Sequence, residues 1–272
     1  MMNSLVPIGI RKYFESGDMK LSYLDFGREG QKILLLLHGH MGNAREFSKL
    51  ASKFDDWRVI ALDQRGHGWS EHPPEKDYSR ESYITDIYNL IHQELGGASV
   101  SILGHSLGGV NAYQFAARYP ELVNAVIVED IGVELNHDIS FVAKLPERSA
   151  SLQQLKEELD LVGLKAINYF SESAFEDEKG WGLRFDLKGM VISTQSINGI
   201  RWEEWLASTC PILLVHGKKS WALKLEEAER MVSRRPHTKL EVFEECGHGV
   251  HSDDLNGFYQ VVKNFFDGLH FN

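Results

Sequence analysis

The chain has 272 residues, 43% of them hydrophobic and 25% charged, a size that fits one large α/β domain or a core with a modest insertion and that buries a substantial core without disulfides or metals. A formal net charge of −10 disfavours nonspecific binding to nucleic acid and to anionic membrane surfaces. Cys210 and Cys246 have neither metal-type nor redox-type spacing, the N-terminal residues lack a signal-peptide pattern, and no apolar run is long enough to span a bilayer, so a soluble, cytoplasmic protein with free thiols is expected.

In chain order, residues 8–14 and 19–26 predict an antiparallel pair of strands. Residues 32–37 form a continuous apolar strand of the kind covered on both faces. Residues 45–54 predict a short helix and 58–62 another buried strand. Tyr83, Ile84, Ile87, Leu90 and Ile91 recur at helical spacing within 79–95. A strand over 99–103 leads to a helix over 110–119, which Pro120 stops, and 124–128 reads as a strand again. From Gly132 to about Ser208 no strand run is evident, whereas helical patterns appear at 152–161 and 164–171. The alternation resumes with strands at 211–215 and 239–243 and helices at 225–233 and 255–269. Such alternation implies a mostly parallel, doubly wound sheet. The division expected is core residues 1–131, a helical cap over 132–208 and core residues 209–272.

The most informative segment is Gly104-His105-Ser106-Leu107-Gly108-Gly109. A Ser with Gly two residues away on each side, between strand and helix, has the form of a nucleophile elbow. The turn that exposes Ser106 Oγ strains that residue, and the chain passes so closely that a Cβ at either flanking Gly would clash. A Ser nucleophile needs a general base. His248, in Glu245-Cys246-Gly247-His248-Gly249, follows the last strand at the sheet edge where ligand sites of parallel sheets lie. His251 reads as a residue behind the site or at a helix start. The Gly-containing turn His38-Gly39-His40-Met41-Gly42 follows the 32–37 strand and can aim a backbone amide into the site. The oxyanion donors expected are the N–H groups of His40 and Leu107, with the His38 and His40 rings in structural roles. Asp63 and Arg65, in Asp63-Gln64-Arg65-Gly66-His67-Gly68-Trp69-Ser70, are expected to brace loop backbones.

Taken in order, His38-Gly39, Asp63-x-Arg65-Gly66-x-Gly68-x-Ser70, Gly104-x-Ser106-x-Gly108-Gly109 and Gly247-His248 resemble the α/β-hydrolase fold superfamily over residues 8–269, the insertion apart. The resemblance implies an eight-stranded sheet with a helical cap after the sixth strand, Ser106 as nucleophile, His248 as base, and the amides of His40 and Leu107 as oxyanion donors. One position departs from the family pattern. The acid of most members follows the seventh strand in a stretch resembling G-x-x-D, and here Gly217-Lys218-Lys219-Ser220 places Ser220 there. Some branches, including many haloalkane dehalogenases and certain small-acyl esterases, carry the acid after the sixth strand, where Val128-Glu129-Asp130 ends. Adjacent strand residues point to opposite faces, so only one of the two carboxylates can serve. The expected acid is Asp130, with Glu129 second and Ser220 as auxiliary.

A Ser nucleophile implies an acyl-enzyme and hydrolysis of a small to medium acyl ester, a thioester or a lactone. Within this superfamily it argues against haloalkane dehalogenase and epoxide hydrolase chemistry, which use Asp at the elbow. Cofactor-free haloperoxidase, C–C bond hydrolase and low-turnover ligand receptor remain as alternatives on the same scaffold. No metal, nucleotide or flavin signature appears. The expected partner is a small-molecule ester, with no cofactor, no nucleic acid and no membrane span, and the oligomeric state is open. The aromatics of the insertion, Phe141, Tyr169, Phe170, Phe175, Trp181, Phe185, Trp202 and Trp205, are expected mostly to pack the cap, a few of them lining an apolar pocket.

Overall fold

The computed structural model describes residues 9–27, 32–164 and 172–269. Eight strands form one sheet: β1 (Ile10–Ser16), β2 (Met19–Asp25), β3 (Ile33–Leu37), β4 (Arg58–Asp63), β5 (Val100–His105), β6 (Val123–Glu129), β7 (Ile212–Gly217) and β8 (Thr238–Phe243). Their order across the sheet is β1-β2-β4-β3-β5-β6-β7-β8. β2 pairs antiparallel with β1 and β4, and every pairing from β4 to β8 is parallel. The parallel strands all end at one edge, and the functional loops leave from it.

Strand alternation builds a core on each face. Leu35, Leu37, Ile60, Leu62, Ile102, Val126, Val128 and Leu214 face one cluster, which also takes the buried stripe of α1 (Arg80–Glu94) and of α2 (Leu107–Arg118). Leu34, Leu36, Val59, Ala61, Leu103, Ile127 and Val215 face the other, where Phe258, Val262, Phe265 and Phe266 of α7 (Leu255–Asp267) pack. The five residues that predicted α1 by their spacing are all buried, and Ser79 caps its first turn by accepting from the Ser82 N–H.

Between β6 and β7 the chain forms α3 (Leu152–Leu161), α4 (Leu187–Ile197) and α5 (Trp202–Ala207); α6 (Leu225–Arg234) then joins β7 to β8. The helix at 152–161 stands where its pattern predicts it, while the pattern at 164–171 falls largely outside the described residues. The insertion is not wholly helical. It contains a hairpin of Ala174–Asp177 with Gly180–Leu183 and a two-residue ladder, Glu134–Leu135 with Gly199–Ile200. Strands this short leave no apolar run, so the sequence shows no strand signal. The cap is fastened over the sheet edge through the Gly68 N–H to Arg184 O (2.6 Å) and Asn43 Nδ2 to Ser173 Oγ (3.0 Å). Among the described residues no helix is long and apolar enough to cross a membrane.

The loop after β4 braces this edge as expected. Asp63 accepts from the N–H groups of Ala44 (2.7 Å) and Trp69 (3.1 Å) and from Ser22 Oγ. Arg65 donates to the backbone carbonyls of Asp77 and Ser82, but its strongest tie is a bidentate one to Asp86 of α1, Nε to Oδ2 at 2.7 Å and Nη2 to Oδ1 at 2.8 Å. Both partners are buried. Removing one partner of a buried pair leaves the other charge uncompensated. Asp86→Ala is therefore expected to cost about 3–5 kcal/mol in urea unfolding at neutral pH; a loss below about 1 kcal/mol would show that the pair does not anchor the loop.

Candidate active site

Ser106 sits between β5 and α2 with φ 52° and ψ −115°, a left-handed backbone that a side-chain-bearing residue keeps only when its surroundings over-determine it. Here they do. The Ser106 N–H donates to Glu129 O (3.0 Å), and Ser106 O accepts from the Gly109 N–H (2.8 Å). A Cβ on Gly104 would stand 2.1 Å from Gly108 O, and one on Gly108 would stand 2.0 Å from Leu37 O. The glycines are thus demanded by contact with the next turn and with the end of β3. The helix begins at Leu107, three residues before the start its apolar pattern suggests, because the elbow runs straight into the first turn. Leu107 is thereby the first helical residue, whose N–H has no acceptor within its own helix.

The loop after β3 lies against this elbow, with Gly39 packed on the side chains of His105 and Ser106. His38 holds the loop in place: its Nδ1 donates to Gly39 O (2.7 Å) and its Nε2 accepts from the Gln64 N–H (3.0 Å). His40 follows, and its Nε2 meets Ser193 Oγ of α4 at 2.8 Å. Burial, reinforced by the charge of Arg80, pushes the His40 pKa down to about 3, so this ring is neutral. Both imidazoles thus position the loop and the cap.

His248 lies in the loop after β8, and its Nδ1 donates to Asp130 Oδ2 at 2.8 Å. That bond fixes the tautomer and leaves Nε2 unprotonated, the form a general base needs. His105, the neighbour of Ser106, donates from Nε2 to His248 O (3.0 Å), and the two rings stand 4.7 Å apart. The base loop is in this way tied to the elbow. Trp221, two-thirds exposed, covers the outer face of His248 with ring centroids 5.0 Å apart.

Asp130 has no exposed surface and, like Ser106, a positive φ of 52°. Its carboxylate takes four donors. Oδ1 accepts from His216 Nδ1 (3.0 Å) and the Gly217 N–H (3.0 Å); Oδ2 accepts from His248 and from Ser220 Oγ. Burial alone would raise its pKa, but the bonds from His216, His248 and Ser220 outweigh burial and hold it below the usual carboxylate range. The two sequence candidates around the acid therefore meet, with Ser220 donating to the carboxylate whose family position it occupies. His216 was not singled out by the sequence; its only signal is a His-Gly pair at a strand end, the same form as His38-Gly39.

Glu129 points the other way. Its carboxylate accepts from the His251 N–H (2.8 Å) and His251 Nδ1 (2.9 Å). With Glu46 it raises the His105 pKa to about 9 against the downward push of burial. The pair of Glu129 and His251 supports the loop from behind, as the reading of His251 expected. Of the cap aromatics, Phe185 and Trp205 are buried, and the Trp205 Nε1 donates to Met231 O (3.0 Å); Phe175 lies between the guanidiniums of Arg148 and Arg184; Tyr169 and Phe170 fall outside the described residues. A cleft of about 500 Å³ lies between the cap and the loop after β4, lined by Lys76, Arg148, Phe175 and Arg184 among others, and it contains none of Ser106, His248 and Asp130.

A sheet with a strained Ser after the fifth strand, a His after the eighth and a carboxylate after the sixth is the layout of one superfamily. A family model described as the alpha/beta hydrolase fold matches residues 32–155, and the eight-stranded sheet has that fold. It is 29% identical over 248 residues to 2-(acetamidomethylene)succinate hydrolase of Mesorhizobium japonicum, covering 86% of this chain and 88% of that one. It is 25% identical to Lipase 3 of Moraxella sp. (strain TA144), covering 93% and 83% of the two chains. The crystal structure of E-2-(acetamidomethylene)succinate hydrolase superposes with a TM-score of 0.81 at 23% identity, over 95% of this chain and 99% of that one.

Two outcomes follow from the geometry. Burial, aided by the charge of His105 and opposed by the bond to Asp130, lowers the His248 pKa. A lowered pKa keeps the ring neutral to lower pH, so the acid limb of a kcat/KM–pH profile should have its midpoint below about 6.5. A midpoint at or above 7 would contradict the assignment of His248. Asp130→Asn should reduce kcat by about 10³–10⁴-fold, whereas Ser220→Ala, removing one of four donors, should cost about tenfold or less. The reverse ranking would displace Asp130 as the acid.

Proposed function

We propose that the protein is a serine hydrolase cleaving carboxylic esters, thioesters or lactones of small to medium acyl size through an acyl-enzyme on Ser106. The observation that carries this reading is the bond from His248 Nδ1 to Asp130 Oδ2, at the edge where Ser106 is held in a strained, exposing turn. His248 Nε2 takes the Ser106 proton as Oγ bonds to the substrate carbonyl carbon. The oxyanion that forms accepts from the N–H groups of His40 and Leu107. His248 then gives its proton to the leaving oxygen or sulfur, the acyl-enzyme remains, and a water activated by the same ring releases the acid and restores Ser106. Asp130 keeps the ring oriented and stabilises the imidazolium without taking up the proton. No step calls for a metal or an organic cofactor.

Relatives support a hydrolytic assignment without fixing the bond, since those described above are named as a lipase and as a hydrolase of an acetamidomethylene dicarboxylate. Ester cleavage is preferred because the triad suffices for it. A fluorophosphonate probe should label the wild-type protein and leave Ser106→Ala unlabelled. The same substitution should lower turnover of para-nitrophenyl esters, acetate to octanoate, by at least about 10³-fold. Ester hydrolysis that survives in Ser106→Ala, or is absent from the wild type across the whole panel, would sink the esterase reading.

A further inference from the structure

Close to the oxyanion loop lies a cation with no counterion among the described residues. Arg80 opens α1, and its guanidinium is held by two neutral acceptors on the nucleophile helix α2. Nε donates to Gln114 Oε1 (2.8 Å) and Nη2 to Asn111 Oδ1. Nη1 is buried, and no acceptor among the described residues reaches it. Nor does any described carboxylate lie within ion-pair distance of Arg80: Asp86, on the same helix, is taken by Arg65, and Glu204 sits 3.7 Å from Arg201 and accepts from Gln114. Arginine presents five N–H donors in a rigid fork suited to a planar carboxylate. A buried charge left without an opposite charge is costly, and proteins ordinarily pair it.

The surroundings place this group beside the chemistry. Asn111 lies in the second turn after Ser106 and also donates to Gln64, whose Nε2 bonds His38 O (2.7 Å) at the start of the oxyanion loop. The Arg80 guanidinium stands 5.1 Å from the Tyr83 ring, and the Tyr83 hydroxyl meets Ser193 Oγ (2.8 Å), the same oxygen that meets His40 Nε2. Arg80 is near enough to His40 for its charge to depress that ring. The Tyr113 hydroxyl, on α2 and within the field of Arg80, is likewise buried with no partner among the described residues. Oxyanion loop, nucleophile helix and cap helix α4 thus converge on the buried Arg80 guanidinium and the hydroxyls of Tyr83, Tyr113 and Ser193.

We propose that Arg80 is the anion-binding residue of the substrate pocket and that the substrate carries a carboxylate set off from the bond to be cleaved. The proposal rests on Ser106 being the acyl-transfer nucleophile, because that reading puts the substrate against the helix and loop that hold Arg80. A single carboxylate fits better than a phosphate dianion, since His40 is neutral and Arg201 already has Glu204, leaving one positive charge to match.

The test pairs two esters, para-nitrophenyl hydrogen glutarate and para-nitrophenyl pentanoate, near in size and differing in the terminal carboxylate. Wild type should favour the anionic ester, and Arg80→Gln should lower the anionic-to-neutral ratio of kcat/KM by about tenfold or more, chiefly through KM. Arg80→Lys should recover part of the ratio. Thermal melting establishes that each variant is folded, and Arg80→Lys carries the comparison if Arg80→Gln does not fold. A ratio unmoved by either substitution overturns the anion site while leaving the esterase reading intact. If Ser106→Ala shows instead that ester turnover does not depend on Ser106, titration calorimetry with glutarate decides the matter. Arg80-dependent binding supports the site, and binding that is absent or indifferent to Arg80 overturns it.

Discussion

Three separated stretches of this chain are brought together by one carboxylate. Asp130 leaves the end of β6, and its oxygens collect His216 and Gly217 from the end of β7, Ser220 from the loop beyond, and His248 from the loop after β8. Four donors to one buried carboxylate more than offset the cost of desolvating it, so the group stays ionised where an isolated one would neutralise. Its backbone N–H also bonds Val215 O at 2.8 Å. Asp130 is thereby part of the sheet, and the loop that carries His248 is fixed by reference to it.

Behind this carboxylate stands a second one with the opposite orientation. Glu129 serves His251 and His105 on the other side of the strand end, where Glu46 adds a further negative charge. The two adjacent acids therefore divide the work. Asp130 holds the His248 imidazole, and Glu129 secures the His248 loop through the His251 backbone and through a His105 that bonds the His248 carbonyl. Strand alternation is the physical basis of the division: a single pair of residues delivers charge to both sides of the sheet edge.

Much of this is legible in the sequence, for reasons that differ residue by residue. Ser106 and His248 can be read because each lies in a Gly-bearing loop directly after an apolar strand run, so the period of the pattern places them at one edge. Asp130 can be read because Ser220 stands where an acid is usual and some branches of the superfamily carry the acid after the sixth strand; alternation adds only that Glu129 and Asp130 cannot both serve. The start of α2 is misjudged by three residues because its first turn, Leu107-Gly108-Gly109, offers little helical pattern. The cap hairpin leaves no trace, since strands of four residues, the second with Gly at two of its positions, carry no period. His216 and Arg80 are invisible for a different reason: their importance lies in partners 86 and 31 residues away, and no local pattern records such contacts.

The backbone just beyond the acid marks a seam between two parts of the molecule. Asp130 is bonded into the sheet, while three and four residues later the chain is clipped to α6, where Glu227 Oε1 accepts the N–H groups of Val133 (2.8 Å) and Glu134 (2.9 Å). The sheet and the partners of Asp130 lie on both sides of the insertion in the chain, and the insertion starts from a bracket, Glu227, that belongs to the part following it. A crossover placed after Asp130 and again ahead of β7 would exchange the whole cap of one such protein for that of another. Ser106, Asp130 and His248 would all be retained, with Glu227 still ready to receive the new first strand. A new cap can in this way be recruited by grafting, with no need to rebuild the sheet edge that holds Asp130 and His248.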